Sequence, residues 1–154
     1  MKKMFLLLSL LIFLSSSAMA LENGDKILPA NITQLSDSIK QIYAPDKRVA
    51  LFDVDYTVGG QNVMVRGVTT VAEAKKALIA GLTKANYKIV DCLQVLPDSE
   101  GLKGKTYGIV NLSVCNIRVD ADFSAEMTTQ ALLGMPVRIL QRKGWYRIQT
   151  PDNY

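Results

Sequence analysis

Few residues in this chain are of a type and spacing that could do chemistry. Asp53 and Asp55 form one acidic pair. A carboxylate pair that cleaves a glycosidic bond needs a set separation and opposed environments. Two residues apart on a strand, both acids point the same way, which reads more simply as a solvated face. Asp120, Asp122 and Glu126 form a second acidic group. Their spacing lacks the glycine and terminal glutamate of a calcium loop, so they read as exposed loop acids. Gly59-Gly60 is a hairpin turn rather than a phosphate cradle, and neither a G-x-S-x-G elbow nor a P-loop occurs.

Cys92 and Cys115 are the two thiols. A cysteine nucleophile needs an imidazole to generate and orient its thiolate, and the chain contains no histidine. The same absence leaves the usual zinc ligand sets incomplete, so no metal site and no cofactor is expected. The cysteines either form a disulfide or remain as two free, buried, small apolar residues. They fall on different predicted strands in different halves of the chain, which favours the free pair.

The elements that would position these residues begin after a leader. Lys2 and Lys3 precede a short apolar run from Met4 to Leu14, and Ala18-Met19-Ala20 has the small-residue pattern of a cleavage site. The run is too short to span a bilayer as a helix. Residues 1–20 therefore read as a signal peptide, with no cysteine following to carry a lipid, and the protein is expected to be exported to the periplasm or beyond. Without Lys2 and Lys3 the charges are 16 basic against 14 acidic. That balance argues for neither a nucleic-acid partner nor an anionic membrane.

Residues 21–96 read as an α+β unit. Asn31 with Gln34 resembles a helix start, Ile32, Leu35, Ile39 and Ile42 recur at helical spacing, and Pro45 ends the helix. From Arg48 the period becomes two, with Ala50, Phe52, Val54, Tyr56 and Val58 on one face. After the turn at Gly59 to Asn62, Val63 to Arg66 pairs back. Thr70 and Glu73 form a capping box for a second helix, whose apolar stripe is Ala74, Leu78 and Leu82 and whose wet side includes Lys75, Lys76 and Lys84. Asn86 suits a left-handed helix end, and Tyr87 to Leu96 is a third strand. This order, with NVMVRGVTTVAEAKKAL, resembles a BON domain, a small periplasmic module. Gly67 stands where that family has a glycine after its second strand, while Asn86-Tyr87 replaces the family's second glycine.

Residues 97–104 read as a linker, and residues 105–154 as consecutive short strands. Val110 to Val114 alternates as one strand, 118–126 is a polar loop, Val137 to Leu140 is a second run, and Arg142-Lys143-Gly144 turns it back into Trp145, Tyr146 and Ile148. The segments LSVCNIR, SAEMTTQALLGMPVRIL and KGWYRIQTPDNY resemble a bacterial SH3-like domain of the kind that precedes NlpC-type cell-wall cysteine peptidases, the γ-D-glutamyl–diamino-acid endopeptidases or dipeptidyl-peptidase VI type. The family's pattern continues past Pro151-Asp152-Asn153 with one more strand, so a barrel lacking its last strand is expected.

The resemblance implies an α+β chain whose barrel positions peptidoglycan stem peptides for a separate catalytic domain, with no peptidase activity of its own. It implies substrate contacts at Glu126, with Thr128 the alternative alignment, and at Tyr154. Trp145 is a third candidate, although barrel packing is its simpler role. The other reading is a stand-alone, non-enzymatic envelope protein that binds a protein or glycan partner. The leader carries the first testable consequence: the intact mass of the exported protein should correspond to a chain beginning at Leu21, and an unprocessed Met1 terminus would refute export by this route.

Overall fold

The computed structural model describes residues 28–152; the expected signal peptide of residues 1–20 and Tyr154 lie outside them. The described chain is a mixed α+β structure with two helices and several small sheets. Helix α1 spans Ala30–Tyr43 and buries Ile32 and Ile39, whereas Ile42, expected to extend that stripe, is exposed. Its first turn is closed by the Pro29 carbonyl, which accepts the Ile32 and Thr33 amides at 2.9 and 3.3 Å. Asn31, expected as the cap, lies inside the helix, where its side-chain amide donates to the Tyr87 hydroxyl at 3.0 Å. The helix stops ahead of Pro45, which has no N–H to continue the ladder.

Strands β1 (Phe52–Gly59) and β2 (Asn62–Thr69) form an antiparallel hairpin turning at Gly60 and Gln61. Phe52, Val54, Tyr56 and Val58 face the core as their period of two requires. Burial pushes the Tyr56 phenol up, opposed by its hydrogen bond to the Ser36 hydroxyl at 2.8 Å, and the charge of Asp37 adds to the rise. Helix α2 (Ala72–Lys84) buries Ala74, Leu78 and Leu82. The capping box expected at Thr70 does not form: the Thr70 hydroxyl accepts the Leu51 amide at 2.9 Å, tying the loop before β1 to the end of β2. Lys75 is not on a wet side either. It lies half-buried, paired with Asp91 at 2.9 Å and donating to the Leu93 carbonyl. Asn86 ends this helical segment at φ +63°. Strand β3 (Lys88–Val95) then lies parallel to β2, giving the sheet order β1-β2-β3.

Both helices pack on one face of this sheet, around Val63, Val65 and Leu93. On the other face the register sets out successive rows, the first two being Asp53, Val68 and Gln94, then Asp55, Arg66 and Cys92. The first row meets the C-terminal half. Gln141, itself buried, donates from Nε2 to Oε1 of Gln94 at 2.8 Å, and Arg147 lies 3.9 Å from Asp53. Gln149 reaches the Arg48 carbonyl at 2.7 Å.

The C-terminal half contains β4 (Tyr107–Ile109), β5 (Val114–Arg118), β6 (Met127–Leu132), β7 (Pro136–Lys143) and β8 (Trp145–Gln149). These form a three-stranded sheet in the order β4-β7-β8 and a separate β5-β6 hairpin. The expected strand from Val110 to Val114 is divided. Val110 donates to the Met135 carbonyl and accepts from the Gly134 amide, and the chain bends before β5 starts at Val114. Strand β6 has no counterpart in the sequence reading, because Thr128, Thr129 and Gln130 mask its alternation. Among the described residues no ladder joins β5 or β6 to the other sheet, so the strands do not close a continuous barrel. Residues 97–104 are a chain of turns rather than a loose tether: Leu102 is buried and the Asp98 amide donates to the Leu140 carbonyl at 2.8 Å.

Gly67 is the position on which the first sheet depends most sharply. It lies inside β2, opposite Val54 and beside Leu93, at φ +126°. A Cβ there would fall 2.1 Å from the Asp53 carbonyl oxygen, and both groups are backbone-borne. Gly67→Ala should therefore cost roughly 3 kcal/mol or more, from strain and overlap together. Gly60→Ala, at φ +62° with open space around it, should cost about 1 kcal/mol. Urea unfolding of both variants checks the contrast.

Candidate functional site

Because the C-terminal half is built from two unjoined sheets, a cleft of about 930 Å³ remains between them. Its floor is apolar. Val137 and Ile139 from β7, Ile148 from β8, Ile117 from β5 and Ala131 from β6 all line it. Gly108 belongs to this construction as well, since a Cβ there would sit 3.0 Å from Ile139 Cδ1. The size and apolar lining are those of a site for a small molecule or a few peptide residues.

At the mouth the two sheets meet through aromatic side chains. Trp145 opens β8 and Phe123 stands on the loop between β5 and β6. Their ring centroids are 4.8 Å apart at an interplanar angle of 60°, a tilted contact of the sort aromatic pairs prefer. Trp145 is 36% exposed and Phe123 83% exposed, so neither is a core residue. Tyr146 also lines the cleft, and the Arg142 guanidinium lies 5.2 Å from the centre of its ring.

The loop that presents Phe123 is shaped by its acids. Asp122 Oδ1 accepts the Ser124 hydroxyl at 2.6 Å and the Ser124 amide at 2.7 Å, spanning Phe123 in an Asx turn. These two bonds hold the Asp122 carboxyl below its usual 3.8, and the nearby charge of Arg118 acts in the same direction. Arg118 also donates from its guanidinium to the Ala125 carbonyl, tying the far side of the loop to β5. No cluster of three or more potential metal-binding side chains occurs among the described residues.

The residues singled out from sequence fall in different places. Trp145 lines the cleft at its mouth. Glu126 is exposed at the end of the loop, where its carbonyl accepts the Val119 amide at 3.0 Å; it is not part of the lining, whereas Thr128, the alternative alignment, is. Tyr154 lies outside the described residues. Both cysteines are free, but they are not the buried pair expected. Cys92 is exposed on the second row of the sheet face, beyond the row that meets the C-terminal half, and Cys115 is half-buried and lines the cleft. Phe123, Tyr146 and Arg118 were not singled out from sequence. A lone phenylalanine in a polar loop is itself a signal, since nothing local buries it.

A family model for the bacterial dipeptidyl-peptidase SH3 domain matches residues 117–154. None of the curated proteins compared matches the chain. The matched segment runs from the end of β5 through the acidic loop, β6, β7 and β8, so it holds the Phe123–Trp145 contact and most of the cleft lining, while Gly108 to Leu112, Cys115 and Asn116 line the cleft from outside it. Residues 28–116 fall outside that match.

The aromatic contact and the Asx turn predict a shared behaviour. Trp145 is the only tryptophan, so its emission reports the mouth directly. Removing the neighbouring ring by Phe123→Ala should shift that emission to the red. The Asp122 carboxyl is depressed on folding, so the turn is supported above pH 3.8 and that support is lost as pH falls through the lower folded value. A red shift should therefore develop on acidification below that range, and Asp122→Asn, which keeps the accepting oxygen but does not titrate, should flatten it.

Proposed function

We propose that this chain is an exported binding module that holds peptidoglycan stem peptides for a cell-wall cysteine peptidase domain. The observation that carries this reading is that the SH3-domain match over residues 117–154 supplies most of the lining of an apolar cleft. An extended peptide fits such a cleft: its side chains meet Val137, Ile139 and Ile148, and Trp145 with Phe123 confines it at the mouth. The role is binding rather than catalysis. Cys115 is the thiol in the cleft, and no imidazole exists in the chain to activate it. The leader of residues 1–20 supports delivery to the compartment where such peptides occur.

A second reading, a stand-alone envelope protein with a protein partner, has one observation in its favour. Ile109, Leu112, Val114, Leu132 and Leu133 are all about half exposed or more. Val114, Leu132 and Leu133 are brought together by the Val114–Leu132 pairing and by the hydrogen bond from the Leu133 amide to the Ser113 carbonyl, while Ile109 and Leu112 also line the cleft. An uncharged aliphatic patch of this kind suits a protein surface.

Titration calorimetry of the purified protein with an L-Ala-γ-D-Glu–diamino-acid peptide tests the first reading. Saturable binding tighter than about 1 mM, with no hydrolysis of the peptide, is the expected result. Hydrolysis by this chain would overturn the binding role. The absence of any binding would move the weight to the aliphatic patch.

A further inference from the structure

The charges of the C-terminal half are sorted by wall. Between Pro136 and Thr150, the β7-β8 hairpin carries Arg138, Arg142, Lys143 and Arg147 and no acid. Across the cleft, residues 118–126 carry Asp120, Asp122 and Glu126 against the single base Arg118. Three cations line the cleft itself, Arg118, Lys143 and Arg147, against the single carboxylate of Asp120. Their availability differs. Arg118 is held to the Ala125 carbonyl and lies near Asp122. Arg147 faces Asp53 across 3.9 Å. Lys143 has no ion pair among the described residues, and it is the register partner of Trp145.

We propose that Lys143 is a carboxylate subsite on the β7-β8 wall, so that the peptide taken by the cleft is an acidic one, running with a carboxylate against this hairpin and its backbone along the apolar floor. The inference rests on the peptide-binding reading and adds the chemistry and direction of the ligand. Lys143 is exposed, and its ammonium beside an indole at the edge of an apolar cleft gives an incoming carboxylate a charge-assisted partner. The wall has no acid to compete for Lys143. On the opposite wall Asp120 repels a second carboxylate, so the ligand's orientation follows from the same sorting of charge. Arg142, stacked on Tyr146, adds positive potential behind Lys143 without lining the cleft.

The test uses the whole exported protein and one pair of probes: the L-Ala-γ-D-Glu–diamino-acid peptide with free carboxylates, and the same peptide with its carboxylates amidated. Binding is read from Trp145 emission and from protection of Cys115 against a thiol reagent. Cys92, exposed on the other half, is the internal control. The expected results are that amidation weakens binding about tenfold, that K143Q removes this preference, and that K84Q, an equal loss of charge at the end of α2, leaves it unchanged. Protection of Cys115 by the amidated peptide in K143Q shows that the cleft is intact in the variant. Equal binding of the two peptides by the unmodified protein, with Cys115 protected, overturns the subsite and leaves the peptide-binding reading standing. Failure of both peptides to protect Cys115 overturns both.

Discussion

The sheet of the N-terminal half has helices on one face only, and the rest of the molecule is arranged around that fact. A three-stranded sheet with one open face is a weak unit unless something meets that face. Here the row of Asp53, Val68 and Gln94 is met by Arg147 and Gln141 of the C-terminal half, and the turns of residues 97–104 hold β7 close through the Asp98–Leu140 hydrogen bond. The β4-β7-β8 sheet thereby serves both the joint and the cleft. Gln141 and Arg147 serve both, making the joint and also lining the cleft.

The β5-β6 hairpin has no such commitment. It shares no ladder with the other sheet, and its contact at the mouth is one aromatic pair. A cleft bounded by one anchored wall and one independent wall has the character expected of a module that must admit a ligand. Local bonds shape the independent wall instead: the Asx turn at Asp122, the Arg118 guanidinium on the Ala125 carbonyl, and the Gln130 amide on Asn116 Oδ1 at 2.9 Å.

Much of the α+β half was legible because its signals are local and periodic. The alternation from Ala50 to Val58, the stripe of Ala74, Leu78 and Leu82, and the left-handed Asn86 all depend on near neighbours. The errors came where a distant group competed. Thr70 gave up its capping role to the Leu51 amide, and Asn31 gave up its own to Tyr87. Lys75 looked solvated until β3 supplied Asp91. In the C-terminal half, Trp145 was visible as a candidate, but Phe123 was not, because its partner lies on another strand and only tertiary structure joins them. The cleft itself is a consequence of two sheets failing to join, which no spacing of residues encodes.

Two of the contacts in the joint between the halves are made by side-chain amides. Gln141 on Gln94 and Gln149 on the Arg48 carbonyl are bonds between groups that neither gain nor lose protons in any ordinary aqueous setting. Dissolved ions weaken the attraction between opposite charges, but they have little purchase on such neutral dipoles. Among the described residues, the ion pair across the joint, Arg147 with Asp53, is long and partly solvated. Changes of acidity and salinity therefore have little hold on these two amide contacts, whatever they do to the ion pair beside them.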